Sequence, residues 1–323
     1  MSRRAFITGA AGQDGRFLSR LLVEKGYKVH GFVRRGAAVE PNVTPHIGDL
    51  ADPAALKHAL ETSLPDEVYN LGAQSHVAAS FADPLHTWRV TAEPILTVLE
   101  WAQHAKHAPR IYQASSSEQF GTSPPPQNEK SPFAPQSPYA IAKVAAHMSV
   151  SLYRKAYGVF AVGGILFNHT SPIRPASFVT RKITQGAARI AYGLQDKLEL
   201  GNLDAKRDWG FAGDYVVAMW LMLQQDAPKD FVIASGGTHS VREFAELAFA
   251  AVAESTNKPE LRDWERYVEV NRSYMRPAEV PVLCGNATAA CEQLGWRPKC
   301  SFTDLVRLMV EHDLKEAAKE LKP

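Results

Sequence analysis

Cysteine is scarce in this sequence. Three thiols among 323 residues, Cys284, Cys291 and Cys300, all fall late and none forms a CxxC pair. That excludes a disulfide framework and the usual zinc spacings, and predicts incidental thiols in a reducing compartment. Long apolar runs are also missing. No stretch approaches the ~20 residues of a membrane span, and the basic N-terminus has no apolar signal core. A soluble, cytoplasmic protein is expected. Charge of one sign is lacking: the formal net charge is +2, which leaves no footprint for nucleic acid or an anionic membrane. Repeats and low-complexity segments are absent. What is present is 45% hydrophobic residues, enough for a full core in one large or two interleaved domains.

Ala5-Phe6-Ile7-Thr8 reads as a first strand. Gly9-Ala10-Ala11-Gly12-Gln13-Asp14-Gly15 follows. Phe17, Leu18, Leu21 and Leu22 then recur at helical spacing, Gly26 stops the helix, and Lys28 to Val33 is a second strand. Strand, glycine turn, helix, strand is the opening unit of a doubly wound parallel α/β sheet of Rossmann-like type. The glycines let the backbone approach a pyrophosphate, whose charge rests on the helix N-terminus. The pattern is GxxGxxG, not GxGxxG. Arg34 and Arg35 end the second strand, where an acidic residue would take a ribose 2′-hydroxyl. Two arginines suit the 2′-phosphate of NADP; a solvated basic turn is the alternative. Asp49 and Leu50 follow a third short strand. Asp49 either meets an adenine or caps the helix from Pro53.

Glu67 to Ala73 is a fourth strand with small residues at its end. His76, soon after it, reads as a surface histidine. Asp83-Pro84 opens a helix by cap and first-turn logic, and Pro94 is expected to kink or break it. Arg110 to Ala114 is the next strand. It delivers Ser115-Ser116-Ser117-Glu118 at its carboxyl end, where ligands bind in such sheets. A proline-rich loop leads to Ser137, which caps a helix with Pro138 at its first position. Tyr139 and Lys143 stand one turn apart on one face of that helix. Ala161 to Phe167 is another strand, followed by Asn168-His169-Thr170-Ser171-Pro172. Gly201 to Trp209 is a polar turn, Asp214 to Gln225 a helix and Asp230 to Ala234 a strand. Arg276-Pro277-Ala278-Glu279 interrupts a helical C-terminal part that closes with a helix from Phe302 to Leu321.

The YxxxK pair behind a GxxGxxG unit resembles the extended short-chain dehydrogenase/reductases. Several segments are similar, more narrowly, to the GDP-mannose 4,6-dehydratase family. They are Gly12 to Gly15, Val68 to Val77, Tyr112 to Ser115, Gly164 to His169, Phe178 to Lys182, Gly201 to Trp209 and Arg276 to Val280. The resemblance spans nearly the whole chain. It implies an NADP-binding Rossmann-like domain over 1–167, to which 210–235 returns, and a mainly nucleotide-sugar-binding domain over 168–323. It implies conversion of GDP-mannose to GDP-4-keto-6-deoxymannose with tightly held NADP and no metal. Matched by position, the cofactor contacts are Gly9, Gly12, Gln13, Asp14, Gly15, Arg34, Arg35, Asp49, Leu50, Leu71, Gly72, Ala73, Gln74, Ser75, Tyr139, Lys143, His169 and Arg174. The catalytic set is Ser116, Glu118, Tyr139 and Lys143. The GDP-sugar contacts are Ser80, Asn168, Thr180, Lys182, Gly201, Arg207, Arg276 and Glu279.

The residues support that chemistry. Tyrosine titrates near 10, and a neighbouring Lys143 ammonium and the positive nicotinamide would favour its phenolate. Tyr139 then takes the 4-hydroxyl proton as hydride leaves C4, with Ser116 bonding the oxygen. The new ketone acidifies C5, and Glu118 takes that proton while water leaves C6. A GDP-sugar 4-ketoreductase or epimerase on the same scaffold would need Tyr139 and Lys143 but no C5 base. A non-catalytic NADP sensor would need neither. The chain departs from the family at Ser116, usually threonine, at His86, usually a cofactor-contacting tyrosine, and at Glu93-Pro94, usually small. The largest departure is the short stretch from Gly36 to Gly48. The family's longer loop reaches a neighbouring subunit, so a homodimer through the nucleotide-domain helices is expected, with a tetramer as the alternative.

Overall fold

In the computed structural model, residues 2–321 are described; the outermost residues of the two expected domains, 1, 322 and 323, lie outside them. Six strands come first in chain order: β1 (Arg4–Thr8), β2 (Lys28–Val33), β3 (Val43–Ile47), β4 (Glu67–Asn70), β5 (Arg110–Ser116) and β6 (Ala161–Leu166). With Phe231–Ile233 they form one seven-stranded sheet in the order Phe231–Ile233, β6, β5, β4, β1, β2, β3. Every pairing in it is parallel. This is the doubly wound Rossmann-like sheet that the strand and helix pattern predicts.

A parallel sheet is covered on both faces, so its strands are apolar on both. Neighbouring residues of β1 show the division, since side chains alternate along a strand. Phe6 joins a core with Leu56, Leu60, Ile95, Leu99, Ile111 and Val150, under the helices Pro53–Ser63, Glu93–His104 and Pro138–Tyr157. Ile7 joins the opposite core with Leu18, Leu22, Tyr112, Tyr215 and Met219, under Gln13–Glu24 and Ala212–Leu223. Val280, Leu283, Ala290, Leu294 and Trp296 belong to that second core as well. The chain therefore comes back to the sheet after the C-terminal helices have begun. A third core lies among Val179–Ala191, Val241–Thr256 and Phe302–Glu320, built on Ile183, Phe244, Phe249, Leu305 and Met309. The Arg181 guanidinium and the Thr184 hydroxyl converge there on Asp313, 1% exposed.

Strand order reverses between β1 and β4, and crevices for ligands open at such a point. One cap differs in detail from the sequence expectation. The Pro53 helix is capped by Asp52, which accepts from the Ala54 and Ala55 N–H groups, whereas Asp49 accepts only from Ala51 N–H. The break at Pro94 is complete: Pro84–Thr91, capped by Asp83, ends before Ala92, and Glu93–His104 starts afresh with the proline in its first turn. Among the described residues no helix is long and apolar enough to cross a membrane. All three cysteines are free and partly buried.

Candidate active site

The crevice floor is glycine for steric reasons. Gly9 has φ +70°, and a Cβ there would stand 2.9 Å from the Gly72 Cα. A Cβ on Gly15 would stand 2.3 Å from the Gly9 carbonyl oxygen. Only glycine fits either place, and the turns after β1 and β4 are thereby in contact. The helix that follows starts at Gln13 with exposed Gly12 as its cap and no side-chain cap bond. Its first N–H groups are left for another acceptor.

Asp14 sits in that first turn. Its Oδ2 lies 2.8 Å from His169 Nε2, and His169 Nδ1 lies 2.8 Å from the Phe167 carbonyl oxygen. Both ring nitrogens face acceptors. Burial pushes the Asp14 carboxyl up, but His169, the Gln13 amide and Arg174 outweigh it and hold it at about 2. Ser171 Oγ donates to Gln13 Oε1 at 2.8 Å. Gln13, Asp14 and His169 thus sew the glycine turn to the segment behind β6. His169 stacks on Tyr215 with centroids 4.7 Å apart.

The rim is more open. Arg34 and Arg35 follow β2 directly and are exposed, as are Asp49 and Ser75. Leu50 Cδ1 fills the space over Gly72, where a Cβ would stand 2.6 Å from it. Leu71 and Ala73 are partly buried. The Gln74 amide shapes its own turn: Nε2 donates to the His76 carbonyl at 3.1 Å, and Oε1 accepts from His76 N–H at 2.6 Å. His76 caps the short helix Val77–Ala82 through Nδ1. His86 is exposed.

The reactive set comes together over the end of β5. Burial pushes the Tyr139 phenol up to about 12. Ser116, by hydrogen bonding, and Arg174, by its charge, pull it back, while the Glu118 and Asp14 carboxylates push it further. Lys143 behaves otherwise than the sequence predicts. Its Nζ donates to the Ala114 carbonyl at 2.7 Å and lies 5.8 Å from the Tyr139 ring centre. Burial brings this amine down to about 8. The cation that favours the phenolate is Arg174, eight residues beyond the end of β6 and remote in sequence from the YxxxK motif. Helix periodicity alone could not have shown it.

Glu118, 6% exposed, is joined by residues from two distant segments. Arg276 Nη1 lies 3.3 Å from Glu118 Oε1 and 3.9 Å from Glu279 Oε1. Arg207 Nη2 donates to Glu279 Oε1 at 2.8 Å. Burial pulls the Arg207 guanidinium down from its ordinary value, and Glu118 and Glu279 oppose that. The neighbouring Asp208, fully buried, accepts from Ser235 N–H and Oγ, Gly236 N–H and Gly285 N–H. It staples the Arg207 strand to two loops, a role its place inside the polar turn did not announce.

Asn168 Oδ1 is buried without a partner among the described residues. Thr180 Oγ1 meets Thr170 Oγ1 at 2.8 Å. Lys182 Nζ lies 3.5 Å over the Tyr274 ring, beside a cleft of about 270 Å³ that Gln185 and Glu199 also border. Gly201 packs on the Tyr274 carbonyl, 3.0 Å from where its Cβ would be. Ser80 is not presented to this cluster as the resemblance implies. It has no exposed surface, because its helix turns the hydroxyl back to the Val77 carbonyl at 2.7 Å.

Comparison with known proteins supplies the context for this geometry. A sequence model of the family described as "GDP-mannose 4,6 dehydratase" matches residues 6–309. GDP-mannose 4,6 dehydratase 1 of Arabidopsis thaliana is 49% identical, over 98% of this chain and 91% of its own. GDP-mannose 4,6 dehydratase of Homo sapiens is 45% identical, over 96% and 91%. Among solved structures, RMD from Pseudomonas aeruginosa in complex with NADPH superposes with a TM-score of 0.80 at 25% identity, over 98% of this chain and 100% of that one.

Proposed function

The chain belongs to the GDP-mannose 4,6-dehydratase family, and from that membership we propose an NADP-dependent lyase in which Ser116, Tyr139 and Lys143 handle C4 of the GDP-sugar and Glu118 handles C5. One observation carries the assignment: Glu118 is withdrawn from solvent within the same cluster as the Ser116–Tyr139 pair, and in contact with Arg276. A plain ketoreductase has no use for a carboxylate there.

The crevice fits a nicotinamide dinucleotide. The uncapped helix start at Gln13 and the glycines that a Cβ would block suit a pyrophosphate. Exposed Arg34 and Arg35 at the end of β2 suit a 2′-phosphate, which favours NADP over NAD. When bound, NADP accepts hydride from C4 and returns it to C6. Tyr139 takes the 4-hydroxyl proton, and Ser116 hydrogen-bonds the oxygen that becomes the ketone. Lys143 holds the nicotinamide ribose, while the charge that favours the phenolate comes from Arg174. The ketone acidifies C5–H; Glu118 takes that proton as the C6–O bond breaks. Ser117, 2% exposed, is no acid, so Glu118 carrying the C5 proton is the donor at hand for the departing hydroxyl. Arg207, Arg276 and Glu279 hold the diphosphate and a ribose, for which a guanidinium fork and a carboxylate are suited. Asn168, Thr180, Lys182 and Gly201 complete the GDP side. Incubation with GDP-mannose should yield a product lighter by one water, without net formation of reduced cofactor. Steady consumption of reduced cofactor with a keto-sugar would instead mark a ketoreductase.

The two arginines give a direct check on cofactor choice. Arg34→Ala with Arg35→Ala should weaken NADPH binding by at least about tenfold, as expected for lost charge-assisted contacts to phosphate, and leave NADH binding nearly unchanged. Fluorescence titration with both dinucleotides reads this; an unchanged preference would remove the arginines from the 2′-phosphate.

We read the working form as a cytoplasmic homodimer; the free thiols support a reducing compartment. Ile141, Met148 and Leu152 are more than half exposed. Their spacing puts them on one face of the Tyr139 helix, away from Tyr139 and Lys143. Leu85, Trp88 and Leu96 are exposed on the two helices that pack beside it. The short loop after Arg35 is folded back on its own chain, with Glu40 paired to Arg16 at 3.3 Å and Arg20 at 2.6 Å. Light scattering should give the mass of two chains, and Met148→Glu with Leu152→Glu the mass of one. A stable tetramer at low concentration would contradict it.

A further inference from the structure

One face of the Pro138–Tyr157 helix carries more than the reaction uses. Tyr139, Lys143 and His147 follow at four-residue intervals, so they share a face and climb it in steps of about 6 Å. Each grips the end of β5. Tyr139 pairs with Ser116, Lys143 donates to the Ala114 carbonyl at 2.7 Å, and His147 Nδ1 lies 2.8 Å from Ser115 Oγ. Three successive helix turns hold three successive strand residues. We infer that His147 is a positioning residue for oxidation at C4, one that fixes the Ser115–Ser116 strand end against the helix and so keeps Ser116 and Tyr139 in register.

The imidazole is itself fixed from every side. Phe133 meets it edge-on with centroids 5.4 Å apart. Gly163 on β6 makes room for it, since a Cβ there would stand 2.5 Å from Nδ1. Its Nε2 faces Asp230 Oδ2 at 3.9 Å, and Asp230 Oδ1 is held by Arg154 and by Gly163 N–H, each at 2.6 Å. Burial lowers the proton affinity of His147, with Asp230 raising it and Arg154 lowering it. The neutral ring then accepts a hydrogen bond from the Ser115 hydroxyl at Nδ1 and keeps N–H on Nε2, toward Asp230. Hydroxyl, imidazole and carboxylate in this order resemble a hydrolytic triad, but Ser115 is 3% and His147 7% exposed. No substrate reaches that hydroxyl, so the chain of contacts positions and does not attack.

Division of labour explains why a third grip is useful. Lys143 serves both the Ala114 carbonyl and, on the reading above, the ribose, and its stem is flexible. His147 has no second duty. A small displacement of reacting groups costs rate steeply, so a tie one residue from Ser116 is felt at C4.

The inference rests on the roles given to Ser116 and Tyr139, and the test separates the two. His147→Leu removes the partner of Ser115, His147→Asn keeps a polar atom near the Nδ1 position, and Ser115→Ala cuts the same tie from the strand. His147→Leu and Ser115→Ala should each lower kcat about tenfold with KM for GDP-mannose within about twofold, and both should raise the isotope effect of deuterium at C4. The double variant should be no slower than the worse single one, and His147→Asn should recover most of the rate. Wild-type kcat in Ser115→Ala overturns the inference, as does a rate loss with no rise in the C4 isotope effect. If His147→Leu does not fold, Ser115→Ala alone decides. Tyr139→Phe is the reference. If it oxidises C4 at the wild-type rate, the underlying reading falls; if it is slow while Ser115→Ala and His147→Leu match wild type, only the inference falls.

Discussion

Glu118→Gln is expected to stop water loss and spare oxidation at C4. The amide matches the carboxylate in shape and keeps a hydrogen-bonding oxygen for Arg276, which lies 3.3 Å away and retains Glu279 as a second partner. What disappears is the ability to take a proton. Positioned proton transfer is worth about 10²–10⁴ in rate, and the loss should fall near the upper end, because the nearby Glu279 carboxylate is paired with Arg207. Product mass reports the missing elimination. Absorbance of the reduced cofactor formed on mixing with substrate reports that oxidation still occurs. A variant that eliminates water at the wild-type rate would take Glu118 out of the mechanism.

Tyr139→Phe should fail one step earlier, with a comparable loss of about 10²–10⁴ and no C4 oxidation. The pH behaviour follows from the buried phenol, pushed up to about 12. The reactive form is the phenolate, so the rate should rise with pH across the neutral range, and Tyr139→Phe should flatten that arm. Arg174 favours the phenolate. Arg174→Ala should therefore move the arm to higher pH and slow the enzyme most at low pH. A profile for Arg174→Ala that coincides with wild type would show that the arginine does not govern this proton.

Much of this was legible because the informative residues are close in sequence. The glycine turn is local, and its need for Gly9 and Gly15 is a matter of backbone approach that the pattern already encodes. Tyr139 and Lys143 are one helical turn apart, and Ser116 ends a strand with Glu118 in the turn just after it. What was not legible depends on where distant segments land. Lys143 faces the Ala114 carbonyl because its helix packs on β5, and Arg174 influences Tyr139 because the segment after β6 comes back to the site. Val280 to Trp296 reads as part of the C-terminal half, yet its apolar residues pack on the sheet. Ser80 matches by position but is turned inward by its own helix. His147 did carry a signal, the four-residue spacing from Lys143, but a helical histidine gains meaning only when Ser115 and Asp230 are seen beside it.

The central claim is that one active site oxidises C4, removes water across C5 and C6, and reduces C6 without releasing the hydrogen it took. GDP-mannose deuterated at C4, turned over in ordinary water and analysed by NMR of the product, tests this directly. The account predicts deuterium at C6 of a 4-keto-6-deoxy sugar, solvent hydrogen at C5, and no net reduced cofactor. Deuterium lost to a free cofactor pool, or retained at C4, would contradict it.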